Sequence, residues 1–334
     1  MENIVKNSMS LLMPIHGKAP FLSAAIESVY RSKNVNIEFI AILDRCENTE
    51  IWGNIELCPP NVDVKVITSN TPGIVPALNL GIENAKHELI ARLDSDDLAS
   101  PERFISQIEF MNTYQHVVCV GTQMIFIDEK GHEFGHTNYP TKHDNIMKRM
   151  KYQNCIGHPS VMFKKTAVEE IGSYRDVLSG SEDYDLWLRL GQKGHLANLT
   201  QRCTYYRKSE FQVTNQLESI QPITENASRI FSAMRQLNIS EELPEEQATL
   251  VEQNTLNISK IRLLDPKKAD ELISAEILNK TYRDRSSNSG YIGLIKVARN
   301  LALAGWISPK LLLNFLYGHL RFRAVRYNTK LGLK

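Results

Sequence analysis

The chain has 334 residues with a formal net charge of +1, and 42% of them are hydrophobic, so we expect one large α/β domain with an appended region and no nucleic-acid partner. Five scattered cysteines without a Cys-x-x-Cys pair exclude a disulfide framework and a thiolate zinc site. No signal sequence and no run of 18 uncharged apolar residues occurs, so we expect a cytoplasmic protein.

The first part of the chain is predicted to alternate between strands and helices. Apolar runs over 10–15, 38–43 and 62–68 predict strands, and apolar residues at helical spacing after Pro20 and over 75–86 predict the helices between them. The first strand is expected to end at Pro14 and Gly17. Asp44 follows the second strand, at the edge of the sheet where α/β proteins bind ligands, although an ordinary turn is its alternative role.

Three carboxylates, Asp94, Asp96 and Asp97, follow a short apolar run over 89–93. Like charges at a strand end repel unless they share a proton or a cation, so the cluster predicts a divalent metal, Mg²⁺ or Mn²⁺. Ser100 and Pro101 predict the N-cap and first turn of the next helix. A solvated acidic loop that caps this helix is the alternative interpretation.

The middle of the chain contains further strands. Residues 116–127 predict a core strand and 128–131 its hairpin turn, whereas the polar stretch over 136–150 is typical of a mobile loop. A helix is predicted over 184–193 and a final strand over 203–207. Helices are predicted from residue 215 onwards.

Four motifs occur in one order along the chain: Asn79-Leu80-Gly81, Asp94-Ser95-Asp96-Asp97, Pro101-x-Arg103 and Ser181-Glu182-Asp183-Tyr184-Asp185-Leu186-Trp187. On these motifs, residues 8–215 resemble the inverting family 2 glycosyltransferases of bacterial surface-polysaccharide synthesis. The resemblance implies the GT-A fold, a Rossmann-like mixed sheet with helices on both faces. It also implies a catalytic domain over 1–214 and a helical region over 215–334.

The resemblance further implies a role for each matched residue. Asp94 and Asp96 would hold the metal, and Asp183 would be the general base that deprotonates the acceptor. The donor side would comprise Pro14, Asp44, Asn79, Asp94 and Arg207. The acceptor side would comprise Glu182, Trp187 and His158. Helix capping, core packing and other structural roles remain the alternatives for these side chains.

Two segments of the chain depart from the family pattern. Leu43 and Arg45-Cys46 flank Asp44 where the family usually has an acid and Gly-Ser, and Ser209 replaces the histidine of the family's Tyr-Arg-x-His motif. Arg207 and Lys208 remain as candidates to neutralise a diphosphate.

The last 50 residues carry nine Lys or Arg and no acid. A basic helix with aromatic residues over 309–327 is typical of an anchor to an anionic membrane surface, which would place the protein at the inner face of the cell membrane. Docking of this helix on the catalytic domain is the alternative.

The leading functional hypothesis is metal-dependent transfer of a sugar from a nucleotide sugar, expected to be a UDP-sugar, to a hydroxyl of a glycan or lipid-linked glycan. One alternative is a non-catalytic protein that binds sugar nucleotides. A nucleotidyltransferase is the other, although it would need a glycine-rich, basic loop after the first strand, where only Gly17 and Lys18 occur.

Overall fold

The structure, a computed structural model, describes residues 7–17, 19–44, 58–151 and 153–209 and the isolated positions 225, 228, 232 and 235. The chain divides into two compact units, of which the first comprises Met1–Met150, Asn154–Ser228 and Leu243–Gln247. Every element below lies in this first unit. The four isolated positions are helical and fall within the predicted helical region, but the other predicted helices and the basic tail lie outside the described residues.

Strands and helices alternate through much of the described chain. The strands are β1 Ser8–His16, β2 Asn36–Asp44, β3 Val62–Ser69, β4 Leu89–Arg92, β5 Leu98–Ala99, β6 Val117–Ile127, β7 Glu133–His136, β8 Met162–Lys164 and β9 His195–Arg207. The α-helices are α1 Leu22–Tyr30, α2 Ile74–Asn84, α3 Arg103–Thr113, α4 His143–Arg149, α5 Lys165–Glu170 and α6 Glu182–Leu190.

These strands form one mixed sheet in the order β3-β2-β1-β4-β8-β6-β9-β5, with β7 beside β6. Strands β1 to β4 pair in parallel, whereas β8 is antiparallel to both of its neighbours. Because β1 and β2 are parallel and in register, His16 and Asp44 lie side by side at the carboxyl edge. This edge carries the candidate site.

Both faces of the sheet are covered by helices, as predicted. Alternating residues of the central strands point to opposite faces, so Leu11 packs in one core with α1 and α3 while Leu12 packs in the other with α2, α5 and α6. Gly81 lets α2 lie close to the sheet, because a Cβ there would be 2.6 Å from Ile42 Cδ1. A packing role for Gly81 is therefore observed.

Several predicted boundaries were wrong for identifiable reasons. Strand β1 continues past Pro14, which pairs with Ile42, and ends at His16, directly before Gly17. The polar stretch predicted as a loop contains α4, which buries Ile146 completely. Helix α3 begins at Arg103 and not at Pro101, with no side-chain cap, because Leu98 and Ala99 first pair with β9 as a short strand.

In the described part of the chain, none of the helices combines the length and the apolar character needed to cross a bilayer.

Candidate active site

Asp44 ends β2 and connects it to the start of α2. Its Oδ2 accepts hydrogen bonds from the backbone N–H of Gly73 and from His16 Nδ1, each at 3.1 Å. The residue is only 5% exposed. Pro14, two residues before His16 on β1, is also buried. These contacts fix the loop before α2 against the edge of the sheet, and a contact of Asp44 or Pro14 with a nucleotide stays a prediction.

The acidic cluster lies between β4 and β5. Oxygen atoms of Asp94, Asp96 and Asp97 all come within 4.8 Å of one another, the separation expected for ligands of a single ion. Asp97 is completely buried; its Oδ1 accepts the backbone N–H of Arg207 at 2.8 Å. Within the described residues its Oδ2 has no hydrogen-bond partner. The family resemblance implies only Asp94 and Asp96 as metal ligands, whereas the structure places an oxygen of Asp97 in the same group.

Burial and mutual repulsion make full ionisation of this cluster unfavourable. Burial, and then the charge of Asp94, raises the pKa of Asp96 to about 6. Burial and both neighbouring carboxylates raise the pKa of Asp97 well above its ordinary value. A buried carboxylate oxygen without a hydrogen-bond partner and two raised pKa values are expected when a cation is missing from a group of carboxylate ligands. These residues therefore fit a divalent metal.

Arg92 is the buried cation beside the cluster. Its guanidinium forms an ion pair with Asp94, and 6% of the Arg92 side chain is exposed. It also interacts electrostatically with Asp97, Tyr174 and Glu182. Arg92 therefore lies within electrostatic reach of both the acidic cluster and the Glu182-Asp183 segment.

Arg103, from the Pro101-x-Arg103 motif, contacts the backbone of Arg92. It is fully buried, and its guanidinium donates hydrogen bonds to the carbonyl of Arg92 at 2.7 Å and to Gln107 Oε1 at 3.2 Å. The motif thus fixes the end of β4, from which the acidic cluster follows, to α3.

The guanidinium of Arg207 binds to the protein backbone. Its guanidinium donates to the carbonyls of Asp96, Asp128 and Glu129 at 2.9 to 3.1 Å and lies 4.3 Å from the ring centroid of Phe21. These bonds hold the acidic loop against the turn after β6. The observed contacts are those of a positioning residue, and direct contact with a diphosphate stays a prediction.

The second carboxylate pair begins α6. Asp183 is half-buried; its Oδ2 accepts a hydrogen bond from Asn154 Nδ2 at 2.8 Å, and its Oδ1 accepts the backbone N–H of Tyr184 at 2.6 Å. Burial, followed by the neighbouring charge of Glu182, raises the pKa of Asp183 to about 7. A carboxylate with a pKa near neutrality can take up a proton under physiological conditions. Asn154 lay outside every motif.

Glu182 is more enclosed than Asp183, at 8% exposure. Its Oε2 accepts the backbone N–H of Gly180 at 2.7 Å, and burial raises its pKa. Glu182 thereby closes the turn before α6, which is a capping type of contact. Contact with an acceptor stays a prediction for Glu182.

His158 lies under Glu182. Its Nε2 shares a hydrogen bond of 2.9 Å with the Tyr174 hydroxyl, and its Nδ1 is 3.7 Å from Glu182 Oε1, which is too long for a hydrogen bond. Burial, and then Arg92, lowers the pKa of His158 well below its ordinary value, so the ring is neutral. The ring sits 5.9 Å from that of Trp187.

Two predicted contact residues turn out to face the protein itself. Trp187 has no exposed surface and lies in the core, so the structure corrects its assignment to the acceptor side. Asn79 uses its side-chain amide to donate to the Tyr174 carbonyl and to accept the Tyr174 backbone N–H, both at 3.0 Å. Asn79 therefore fixes the loop that carries Tyr174.

Asp185 is the acid of the Glu182-to-Trp187 motif with a structural role. It is completely buried and accepts bonds at 2.9 Å from Arg175 Nε and Arg189 Nε. Arg189 also donates to the carbonyls of Ile171 and Ser173. This charged group ties α6 to the preceding loop and so sets the orientation of Asp183.

The sequence of this chain is similar to those of known glycosyltransferases. The family model described as "Glycosyl transferase family 2" matches residues 10–172. The amylovoran biosynthesis glycosyltransferase AmsE of Erwinia amylovora is 40% identical over 128 residues, 38% of this chain and 47% of AmsE. The O-antigen biosynthesis glycosyltransferase WbnJ of Escherichia coli is 30% identical over 187 residues, 56% of this chain and 72% of WbnJ. The matched region is thus about half of AmsE and nearly three quarters of WbnJ.

A third relative is the UDP-Gal:alpha-D-GlcNAc-diphosphoundecaprenol beta-1,3-galactosyltransferase of Escherichia coli, 30% identical over 54% of this chain and 66% of the relative. Among solved structures, TarS 1-349 of S. aureus superposes with a TM-score of 0.59 at 13% identity, covering 97% of this chain and 92% of TarS 1-349. This likeness supports the same glycosyltransferase fold, and the predicted GT-A architecture is confirmed.

Proposed function

This chain belongs to glycosyltransferase family 2, and from that premise we propose that it is an inverting, metal-dependent enzyme that transfers a sugar from a UDP-sugar to an acceptor hydroxyl. The observation that carries the proposal is the pair of carboxylate centres around Arg92: the acidic cluster on one side and the Glu182-Asp183 segment on the other. One centre suits a diphosphate with its cation, and the other suits a base.

The acidic cluster would hold Mg²⁺ or Mn²⁺ through Asp94, Asp96 and Asp97, whose oxygens lie within 4.8 Å of one another. When bound, the ion offsets the negative charge that develops on the departing diphosphate. The protein holds these carboxylates in place through Arg92, Arg103 and the Arg207 backbone amide. Asp44 and Pro14 would border the nucleoside.

Asp183 would accept the proton of the acceptor hydroxyl. The hydroxyl oxygen bonds to the anomeric carbon of the sugar as the bond from that carbon to the diphosphate breaks, and the hydroxyl proton passes to Asp183. One displacement at one carbon inverts its configuration. Asn154 and the Tyr184 amide orient the carboxylate, and its pKa of about 7 suits a base at neutral pH.

The names of the relatives support a role in surface polysaccharide synthesis. AmsE is named for amylovoran and WbnJ for O-antigen, and the galactosyltransferase is named for a diphosphoundecaprenol-linked acceptor and a UDP-sugar donor. We therefore propose a hexose-type donor with UDP as carrier and a glycan or lipid-linked glycan as acceptor.

The domain division also stays a proposal: a catalytic domain over 1–214 and a helical region over 215–334 whose basic tail attaches to anionic membranes. Truncation after residue 303 tests the tail through sedimentation with anionic and neutral vesicles. Attachment that depends on the tail should require the anionic lipid and weaken in salt. Equal sedimentation with neutral vesicles would contradict it.

Thermal stabilisation tests the donor and metal together, because a ligand that binds only the folded protein raises its stability. A panel of UDP-, GDP- and dTDP-sugars should raise the melting temperature for a UDP-sugar with Mn²⁺ and not with EDTA. Stabilisation by another nucleotide class would overturn the donor assignment, and stabilisation that persists in EDTA would overturn the metal assignment.

A further inference from the structure

Three aromatic side chains form a group on neighbouring strands at the site end of the sheet. Phe126 of β6 lies beside Tyr206 of β9 in register, with ring centroids 6.1 Å apart, and stacks on Phe134 of β7 at 6.1 Å and 30°. Lys208 Nζ lies 4.7 Å from the Tyr206 ring centroid and 6.0 Å from that of Phe126. We call Phe126, Phe134, Tyr206 and Lys208 the aromatic platform.

The platform is accessible from solvent. Phe134 is 60% exposed; Tyr114, at 46%, is the other exposed large hydrophobic residue among those the structure describes. A single exposed apolar side chain is ordinary and needs no explanation. Phe134 stacks on the half-buried ring of Phe126, and the half-buried ring of Tyr206 meets Phe126 edge-on at 72°. Lys208 lies near both half-buried rings, so the stacked pair has a hydrogen-bond donor close to it.

The platform lies on the face of the sheet that carries α6. The Arg207 side chain points to Phe21, next to α1, and neighbouring residues of a strand point to opposite faces, so Tyr206 points to the α6 side. Met124, two residues before Phe126, points the same way: a Cβ on Gly157 would be 2.5 Å from Met124 Sδ. Gly157 precedes His158, which lies beneath Glu182. The platform and α6, which begins with the proposed base, therefore lie on the same face of the sheet.

Short covalent and hydrogen-bonded connections hold the platform to the acidic cluster. Arg207, between Tyr206 and Lys208, donates its backbone N–H to Asp97 and its guanidinium to the carbonyls of Asp128 and Glu129. Residues 128 and 129 form the turn between the strands of Phe126 and Phe134. The rings are thus positioned in advance relative to the acidic cluster, which lowers the cost of binding.

We propose that the aromatic platform binds a sugar ring of the acceptor, so that the acceptor is itself a saccharide chain. A pyranose has a face of C–H groups that packs against the electron-rich face of an aromatic ring, and its hydroxyls accept hydrogen bonds from an ammonium. The surrounding hairpin carries Asp128, Glu129 and Glu133 against Lys130, a charge balance that disfavours an anionic membrane as the occupant. The inference rests on the proposed function and specifies its acceptor.

Free disaccharides test the platform directly. Saturation-transfer NMR with lactose, N-acetyllactosamine, maltose and cellobiose, on the full chain, measures binding without donor or turnover. At least one should bind the wild type in the millimolar range. Phe134→Ala should weaken that affinity about threefold to tenfold, the range expected for one aromatic contact. Phe134→Tyr should restore it, and Tyr114→Ala, at an exposed aromatic residue outside the platform, should leave it unchanged.

The outcomes separate the platform from the proposed function. Equal affinity in Phe134→Ala and Tyr114→Ala, or no disaccharide binding to the wild type, would overturn the platform. So would loss of binding to phosphatidylcholine vesicles in Phe134→Ala with saccharide affinity intact. Stabilisation by UDP and Mn²⁺ is measured on the same proteins; its absence from the wild type would count against the proposed function and leave the disaccharide result standing.

Discussion

Asn154 donates a hydrogen bond of 2.8 Å to Asp183, and the Tyr184 backbone amide donates to the other oxygen of the same carboxylate. Both donors stabilise the ionised form, while burial and Glu182 act against it, and the pKa of Asp183 settles at about 7. Because these effects oppose one another, single substitutions should shift the pKa of the Asp183 carboxylate.

Asn154→Ala should shift the pH profile of transfer. The proposed base acts only when ionised, so kcat/KM is expected to rise with pH and to level off above about pH 7. Without the Asn154 bond the ionised form loses a partner, so the apparent pKa should rise by about one unit. Steady-state rates from pH 5.5 to 9 measure this shift.

The control is Asn112→Ala, at an exposed position near the end of α3. It should leave the midpoint of the profile where it is in the wild type. An Asn154→Ala profile with an unshifted midpoint and a uniformly lower rate would assign Asn154 a purely structural role.

Asp97→Asn should separate stability from metal binding. Burial and two neighbouring carboxylates raise the pKa of Asp97, so this group lowers the stability of the metal-free protein as the pH rises above the ordinary pKa of a carboxyl group. The neutral amide should raise the melting temperature in EDTA at pH 8 by about 2 to 4 °C. The same variant should no longer be stabilised by Mn²⁺, as measured by scanning calorimetry.

Asp128→Asn is the matched control, because the His132 backbone amide lowers the pKa of this acid. Its neutral form should not raise the melting temperature. If Mn²⁺ stabilises Asp97→Asn as strongly as it stabilises the wild type, Asp97 does not belong to the ligand set.

Arg92→Gln should destabilise the metal-free protein. The substitution leaves Asp94 without its cation in a largely buried pair, and breaking such a pair costs about 3 kcal/mol or more. We expect a loss of free energy of unfolding at the low end of this range, because 26% of the Asp94 side chain is exposed. Urea denaturation in EDTA measures the loss.

Arg31→Gln breaks the exposed pair with Glu27 on α1 and provides the comparison. Its effect should be far smaller, since solvent screens exposed pairs. Equal losses in the two variants would show that the Arg92 pair is no more important for stability than a surface pair.

Much of the fold could be predicted because its signals are local. Apolar runs located β1, β2, β3 and β4, and the carboxylates after β4 indicated the edge of the sheet that bears the site. Helix α4 was missed because Ile146 and Met150 are its few buried apolar anchors in a polar stretch. Strand β5 was missed because two residues carry no periodicity, and its pairing with β9 is set by the tertiary structure.

For the candidate site, the sequence indicates residue types but not the contacts that these residues make. Asp97 and Asn154 gain their importance from partners far away in sequence, the Arg207 amide and Asp183, which no local pattern reveals. Trp187, Asn79 and Arg207 matched family motifs, yet their observed contacts are with the protein itself. A motif identifies residues that the fold needs as readily as residues that a ligand needs.

Replacement of Asp183 tests its assignment as the general base. The hydrogen bonds of its carboxylate determine which variant is suitable. An amide in Asp183→Asn can accept from Asn154 or from the Tyr184 amide but not from both, so that variant also disturbs the structure. The exchange Asp183→Asn with Asn154→Asp restores a donor and an acceptor between the two side chains. The new carboxylate at 154 can still accept the Ile156 N–H.

The most direct measurement is the steady-state transfer rate of this exchange variant, with calorimetric affinity for UDP and Mn²⁺ measured on the same preparation. We expect unchanged affinity and a loss of about 100-fold or more in transfer, the contribution expected of a general base. Transfer within a few-fold of the wild type, at unchanged affinity, would contradict the assignment of Asp183 as the base.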